Sequence, residues 1–358
     1  MKIAIVTDAW APQTNGVVTT LAATARELSR RGHDACIVSP EGLRCLPCPS
    51  YPEIRLALWP GPVIARRLKA FRPHAIHIAT EGPLGMAARR YCRRRDVPFT
   101  TSYHTRYPEY LAERWPIPLG VSYAWLRRFH RAAARTFVSS DSLRSELACH
   151  GFGDLHLWRR GVDTARFHPG HPAHPLLRGL PRPLMAYAGR LAVEKNLAAF
   201  LNLELPGTAL LIGDGPQRAA LATRYPRAVF AGYRFGDELA ALLAGSDVFV
   251  FPSLTDTFGI AMVEALACGL PVAAFPVPGP RDVLRPGVTG VMSPDLGAAI
   301  RGALRLDRGR CVAAAADFTW EAATGQFLDG LEPISLRARA RLRVGVSAII
   351  ASRAGERF

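Results

Sequence analysis

Strand-like apolar runs alternate with helical stretches along almost the whole chain. In the first half, the apolar runs cover residues 3–7, 35–39, 75–79, 99–103 and 136–139. The alternation restarts further on with residues 184–188, 209–212, 229–231, 248–251 and 271–275. This order is typical of βαβ units, which form parallel sheets covered by helices on both faces. The sequence therefore predicts an α/β fold built from doubly wound sheets.

The stretch between the first two runs shows the expected helical spacing. Val17, Leu21, Ala25 and Leu28 recur three or four residues apart, and Gly32 follows as a stop signal. This spacing predicts one amphipathic helix packed on the sheet.

A proline- and glycine-rich segment at 168–183 interrupts the alternation and predicts a linker. The length of 358 residues suits two domains. We therefore expect an N-terminal domain over 1–168 and a C-terminal domain over 169–332, with the ligand cleft between them. Residues 333–358 form a basic tail in which apolar residues and arginines alternate with period two, so we expect a mobile segment that touches anionic lipid.

The composition is that of a soluble globular protein, with 49% hydrophobic and 21% charged residues. The formal net charge of +16 indicates anionic partners, although an arginine-rich solvated surface is the plainer interpretation. A nucleic-acid partner is not favoured, because aromatic and basic residues do not interleave at a recognised spacing.

Three observations favour a cytoplasmic location, with peripheral attachment to the inner face of the membrane as an extension. The N-terminus runs directly into a strand pattern without a signal peptide, and no apolar run is long enough to span a bilayer. The seven cysteines lack a framework spacing, which suits a reducing compartment. The close pair Cys45 and Cys48 is interpreted as incidental thiols in a proline-rich loop.

The main candidate site follows the run 184–188. Gly189 and Arg190 end this run, and Lys195 follows five residues later. Ligands of open α/β sheets bind beyond the carboxyl ends of the strands, so two cations there predict a diphosphate site.

Two other turns carry weaker signals. Asn15 and Gly16 lie between the first strand and the first helix, where free backbone N–H groups can hold a phosphate. Gly213 ends the run 209–212 and could shape a wall for a nucleotide base. Ordinary tight turns explain both motifs equally well.

A more specific block covers residues 252–272. A loop with Asp256, Phe258 and Gly259 opens a helix on which Glu264 lies five residues further along. An acid at this place can accept hydrogen bonds from ribose hydroxyls, or it can pair with an arginine.

These motifs together resemble the retaining glycosyltransferases of family 4, and the resemblance covers roughly residues 1–331. It implies the GT-B fold, in which two Rossmann-like domains face each other across a donor cleft. It also implies that Arg190 and Lys195 hold the donor diphosphate, that Glu264 binds the ribose, and that the amides after Phe258 and Gly259 cap the sugar and phosphate. Asp256 stands where the family usually has the glutamate that contacts the donor sugar.

In the first half, His104 within residues 101–110 matches the family histidine that lies beside the transferred sugar; a surface histidine is the alternative. The loop with Glu81 resembles the subgroup of bacterial mannosyltransferases and plant sulfolipid-type enzymes. Asn15, Glu81 and Arg106 are the acceptor-side candidates. The loops 41–62 and 104–125 are expected to contact the acceptor and a membrane surface.

The resemblance implies transfer of a hexose from a nucleoside-diphosphate sugar to an acceptor hydroxyl of a lipid or cell-envelope glycan. Mannose from GDP-mannose is favoured, with glucose next, and the anomeric configuration is retained. No cofactor or metal is expected, because the sequence has no Asp-x-Asp cluster and protein cations can neutralise the leaving group. A nucleotide-sugar epimerase or a phosphorylase on the same frame is the alternative.

Overall fold

The computed structural model describes residues 1–13, 15–48, 51–114 and 117–342. The chain divides into two compact units, one formed by Met1–Arg159 with the chain from Thr324 onward, the other by Arg160–Ala323. The strands are β1 (Lys2–Val6), β2 (Asp34–Val38), β3 (Cys45–Cys48), β4 (Tyr51–Ala57), β5 (Ala75–Ile78), β6 (Thr100–Ser102), β7 (Arg135–Val138), β8 (Leu155–Leu157), β9 (Leu184–Ala188), β10 (Thr208–Ile212), β11 (Val229–Gly232), β12 (Val248–Phe251), β13 (Val272–Ala274) and β14 (Gly290–Met292). The helices are α1 (Gly16–Arg30), α2 (Gly61–Phe71), α3 (Pro83–Arg95), α4 (Tyr107–Arg114), α5 (Leu119–His130), α6 (Asp141–Cys149), α7 (Leu197–Leu201), α8 (Arg218–Arg224), α9 (Gly236–Ala244), α10 (Ile260–Ala267), α11 (Pro278–Val283), α12 (Leu296–Ala303), α13 (Arg308–Ala315), α14 (Trp320–Gly330) and α15 (Leu336–Arg341).

The first unit is built on a parallel sheet in the order β2-β1-β5-β6-β7-β8. Residues Ile3–Val6 of β1 are fully buried, as expected for a strand covered on both faces. The strand order reverses between β1 and β5, so the crevice beyond their carboxyl ends is the ligand position of this sheet.

The second unit repeats the architecture with the parallel order β11-β10-β9-β12-β13-β14. Strand β9 lies in the middle, and all five of its residues are buried. The order reverses between β9 and β12, which brings together the loops that follow these two strands. The predicted α/β fold with two doubly wound sheets is confirmed.

Helix α1 confirms the predicted amphipathic helix. Leu21 and Leu28 are fully buried, and Gly32 takes a φ of +74° just beyond the end of the helix. A left-handed conformation there suits a glycine, which has no Cβ to clash.

The unit boundaries differ from those expected from the proline-rich segment. Residues 168–183 lie inside the second unit, where Leu176 and Leu177 pack against its core. The chain enters that unit at Arg160 and leaves it within α14, whose remainder contributes Phe327 to the core of the first unit. The local composition indicated an irregular segment, but packing determines the unit to which this segment belongs.

The expectation of a mobile, non-helical tail is wrong for residues 333–342. Helix α15 begins after Ser335, whose side chain accepts a hydrogen bond from Ala338 N. Ile334, Ala338 and Leu342 recur every four residues and pack into the core of the first unit. The tail therefore contains apolar residues at helical spacing in addition to the alternation of apolar residues and arginines with period two. Residues 343–358 lie outside the described part of the chain.

The loop prediction for Cys45–Cys48 is also wrong, because these residues form strand β3 of an antiparallel hairpin with β4.

Within the described ranges, no helix combines the length and apolar character needed to cross a bilayer.

Candidate active site

The loops after β9 and β10 touch backbone to backbone. Gly189 N donates to the Ile212 carbonyl at 2.9 Å, and Leu191 N donates to the Asp214 carbonyl at 2.9 Å. A Cβ built on Gly213 would lie 1.9 Å from the Gly189 carbonyl oxygen, so the approach of the two loops leaves no room for a side chain there. The two predicted glycines thus hold these loops together, which fixes the path of the chain into Arg190.

Arg190 and Lys195 lie on one short loop above β9. The buried phenol of Tyr187 donates to the Arg190 carbonyl at 2.9 Å. Burial raises the pKa of Tyr187, so the phenol stays protonated and remains a donor. Lys195 ends a 3-10 turn over Val193–Lys195, and Asn196 then takes a left-handed φ of +52°.

This loop is bound to the loop that follows β12. Lys195 Nζ lies 2.5 Å from Asp256 Oδ1, and both side chains are about four-fifths buried, with 19% and 18% exposure. Asn196 Nδ2 donates to the Pro252 carbonyl at 3.2 Å, and Ser253 Oγ donates to the Glu194 carbonyl at 3.3 Å. The reversal of strand order therefore brings the predicted cation and the predicted acid into direct contact.

The ion pair keeps Lys195 charged. Burial by itself lowers the pKa of an ammonium group, but the Asp256 carboxylate outweighs burial and raises the pKa of Lys195 above its ordinary value. Lys195 is consequently a fixed cation at neutral pH, suited to binding a phosphate oxygen.

Glu264 lies on α10, the helix that follows the same loop. The helix begins after Gly259, whose φ is +84°, and a Cβ there would lie 2.8 Å from the Phe251 ring. Glu264 is the only charged residue of α10 and is half-buried. Its carboxylate makes no hydrogen bond or ion pair within the described residues, and burial raises its pKa to about 7. The arginine pairing left open by the sequence is absent there, and a desolvated acid of this kind is a candidate ligand-binding group.

We expect Glu264→Gln to stabilise the free protein at pH 8 by up to about 3 kcal/mol and to have little effect at pH 4.5. The unfolded carboxyl group ionises near pH 4.5, whereas the folded one keeps its proton until about pH 7. The folded state therefore binds more protons between these values, and wild-type stability falls as the pH rises through them. Urea unfolding of both proteins across this pH range measures the difference; a constant difference would contradict the assignment.

The remaining donor-side residues have mainly packing roles in the structure. Phe258 is buried and its ring lies 6.0 Å from that of Phe318. Asp214 accepts from Gly215 N at 2.7 Å and pairs with Arg218 at 2.8 Å, which closes the turn after Gly213.

In the first unit, His104 follows β6, as predicted. Its ring is half-buried and packs at 5.7 Å, edge to face, against the fully buried Trp158. The indole fixes the orientation of the imidazole, so His104 is not a freely rotating surface side chain.

Two acceptor-side candidates are engaged within this unit. Glu81 is 5% exposed and its carboxylate lies 3.2 Å from His130 Nε2, while His130 Nδ1 is bonded to Thr101 Oγ1 at 2.9 Å. The guanidinium of Arg106 pairs with Glu146. Both side chains therefore stabilise the loops that carry them.

Asn15 and Gly16 begin α1, where two of the first backbone amides are bonded to the Asn15 side chain. Asn15 Oδ1 accepts from Val17 N and from Val18 N, each at 3.0 Å. This N-cap occupies the amides of Val17 and Val18. Phosphate binding at this helix start stays a prediction.

Sequence reasoning missed the role of Asp8. Its buried carboxylate accepts from Thr80 Oγ1 at 2.8 Å and from Leu84 N at 2.8 Å at the start of α3. Burial raises the pKa of Asp8, although these hydrogen bonds oppose the shift. A Cβ on Gly82 would lie 2.5 Å from the Asp8 carboxyl carbon. The glycine at position 82 was therefore the one feature of the sequence that could have indicated this close contact.

Residues 1–13, 15–48, 51–114 and 117–342 contain no group of three or more His, Cys, Asp or Glu side chains arranged to hold a metal ion.

Comparison with known proteins gave two matching family models and several relatives. Residues 14–166 match the model of Glycosyltransferase Family 4, and residues 182–306 match that of Glycosyl transferases group 1. A GDP-mannose-dependent alpha-mannosyltransferase of Mycobacterium tuberculosis (strain CDC 1551 / Oshkosh) is 34% identical over 318 residues, which cover 82% of this chain and 84% of the relative. A sulfoquinovosyl transferase of Arabidopsis thaliana is 35% identical over 70% of this chain and 52% of its own length.

Among solved structures, sucrose-phosphate synthase from Thermosynechococcus elongatus superimposes with a TM-score of 0.71 at 20% identity, covering 92% of this chain and 97% of that one. This likeness supports the GT-B fold. The matching family models, with the identity and coverage of the relatives, show that the chain is a glycosyltransferase that belongs to glycosyltransferase family 4.

Proposed function

We propose that the protein transfers mannose from GDP-mannose to an acceptor hydroxyl on a lipid or cell-envelope glycan, with retention of the anomeric configuration. The observation that carries the proposal is the contact of Lys195 with Asp256 where the strand order of the second unit reverses. It puts a fixed cation and an acid where open sheets bind nucleotides.

The choice of donor is supported by the relatives. Proteins named GDP-mannose-dependent alpha-mannosyltransferase match this chain at 34% identity in Mycobacterium tuberculosis and at 31% identity in Corynebacterium glutamicum, the latter over 92% of this chain. These matches do not favour the epimerase or phosphorylase alternative.

Each site residue then has a chemical role. Arg190 and Lys195 neutralise the leaving diphosphate, assisted by the backbone amides that follow Phe258 and Gly259 at the start of α10. Glu264 accepts hydrogen bonds from the ribose hydroxyls. Asp256 holds Lys195 before the donor arrives and contacts the donor sugar afterwards.

The transfer follows a front-face course. The bond between the anomeric carbon and the diphosphate oxygen breaks, and the acceptor oxygen bonds to the same face of the sugar. The acceptor proton passes to the departing phosphate oxygen. His104 orients the sugar, and a covalent glycosyl-enzyme intermediate is not part of this route.

The proposal is tested by incubating the purified protein with GDP-mannose, with and without an extract of membrane lipids. We expect lipid-dependent release of GDP and an α-linked product by NMR. Faster release from UDP-glucose than from GDP-mannose would contradict the donor assignment, and a β-linked product would contradict retention. Accumulation of a covalent sugar adduct on the protein would exclude the front-face route.

We expect transfer to be unchanged by EDTA, because protein cations take the place of a divalent ion. The measurement compares initial rates after dialysis against EDTA with rates after adding back Mg²⁺ or Mn²⁺. A loss of activity that either metal restores would show that the protein cations are insufficient.

The acceptor is proposed to be reached at the inner face of the cell membrane, because lipid-linked hydroxyls are presented there. GDP-mannose, as a charged nucleotide sugar, is consistent with a cytoplasmic enzyme.

A further inference from the structure

We propose that a groove between α3 and α5 of the first unit binds the phosphate headgroups of an anionic phospholipid membrane. The groove encloses about 1250 Å³. Five arginines line it: Arg89 and Arg93 of α3, Arg127 and Arg128 of α5, and Arg131 just beyond α5. We call it the arginine groove.

Helical spacing makes the groove a continuous basic surface. Arg89 and Arg93 are four residues apart on α3, and Arg127 and Arg131 are four residues apart at the end of α5. Side chains with this spacing lie on the same helix face. Two basic stripes therefore line the same groove, which suits several phosphates at once.

The charge of the groove is not neutralised within the described residues. None of its five arginines forms an ion pair with a carboxylate there. Asp96, the acidic residue of the lining, is 2.7 Å from Arg341 Nη1 of α15 and is thereby compensated. The groove therefore presents a net positive charge to an external anion.

Arg89 is fixed in place by backbone acceptors. Its Nε donates to the Phe129 carbonyl at 2.9 Å, and its Nη2 donates to the Arg128 carbonyl at 2.8 Å. Burial lowers the pKa of Arg89, and the neighbouring charges of Arg93 and Arg128 lower it further. The positive charges are thus held close together at the base of the groove.

Exposed apolar side chains on α5 favour a bilayer over a nucleic acid. Val121 is 61% exposed and Trp125 is 47% exposed. They precede Arg128 by seven and three residues, so they share a stripe with it along the helix. Tryptophan and valine can enter the headgroup region while arginines contact phosphates, as in interfacial amphipathic helices.

The groove is separate from the loop that carries His104. It is lined by residues 97–99 and 132–134, which immediately precede β6 and β7, whereas His104 follows the carboxyl end of β6. Helix α5 leads back to the start of β7, so its first turns lie toward the His104 end of the sheet. Helix α5 therefore runs from the His104 end of the sheet to the arginine groove.

The test is co-sedimentation of the complete chain with vesicles of phosphatidylcholine alone, or with about three in ten lipids replaced by phosphatidylglycerol. We expect binding to the anionic vesicles that weakens with salt. Each arginine near an anionic surface strengthens partitioning about fivefold. Arg93→Glu with Arg128→Glu should therefore lower it by at least about 25-fold.

Arg26→Glu with Arg66→Glu is the matched control, because both arginines lie in the same unit outside the groove and the charge change is equal. The control variant should retain most of the binding.

Trp125→Ala should weaken vesicle binding several-fold, both at low salt and at high salt.

Equal binding by the groove variant and the wild type would overturn the proposal, as would equal losses in the groove and control variants. Tight binding of duplex DNA at the groove without binding to vesicles would also overturn it. So would binding of inorganic phosphate at the groove without binding to vesicles. Thermal stabilisation by GDP, measured on the same proteins, tests the donor site independently, so failure of the proposed function is distinguishable from failure of this inference.

Discussion

Lys195→Ala is expected to lower kcat/KM for transfer by at least about a thousandfold, equivalent to about 4 kcal/mol of transition-state stabilisation. The substitution removes the cation that we propose neutralises the leaving diphosphate, and it leaves Asp256 without its partner at 2.5 Å. Initial rates at saturating and limiting GDP-mannose separate the effect on kcat from that on KM. Arg190→Ala should show a loss of similar size.

The chain offers a close control, because it has only three lysines, Lys2, Lys69 and Lys195. Lys69 is exposed on α2 of the first unit, and Lys69→Ala should keep wild-type activity. Lys195→Ala combined with Asp256→Asn removes the unpaired acid and should recover stability without recovering transfer. Near wild-type activity in Lys195→Ala would remove this residue from the mechanism.

Gly213→Ala is expected to destabilise the protein by about 4 kcal/mol and to abolish donor binding, since overpacking and backbone strain each cost about 1–3 kcal/mol and here act together. A methyl group at this position would lie 1.9 Å from the Gly189 carbonyl oxygen, so the two loops must separate. The loop carrying Arg190 would move with Gly189, which explains the expected loss of donor binding.

Gly287→Ala separates the two contributions, since Gly287 has a φ of +73° and no atom within 4 Å of the place a Cβ would occupy. It retains the cost of the left-handed backbone, about 1 kcal/mol, without a clash. Urea unfolding midpoints and thermal shifts with GDP measure both variants. Equal midpoints for Gly213→Ala and Gly287→Ala would contradict the steric argument.

Much of the fold was predictable because parallel strands buried on both faces have long apolar runs that local sequence reveals. Strand β9 was identified in this way, and the loop with Arg190 and Lys195 was identified from its position directly after β9. Strands β3, β4, β8 and β14 were missed. β8 and β14 are three residues each, and β3 and β4 each contain a proline, so the local pattern in each is weak.

The site was only partly predictable for a related reason. Arg190 and Lys195 stood out because their position after a strand and their charge are both local properties. The N-cap role of Asn15 and the pairing of Arg106 with Glu146 depend on side-chain contacts that residue types in a motif do not specify. The raised pKa of Glu264 depends on its burial, which single-residue identity does not reveal.

By itself, the sequence determined the α/β class, the two sheets and the residue types of the loop that carries Arg190 and Lys195, since hydrophobic periodicity and glycine placement are local properties of the chain. Only the tertiary structure decided that Lys195 meets Asp256, that α14 carries the chain from one unit to the other, and that Ile334, Ala338 and Leu342 belong to the first core. The physical reason is that strand order, and with it the partner of every loop, is set by packing between segments far apart in sequence.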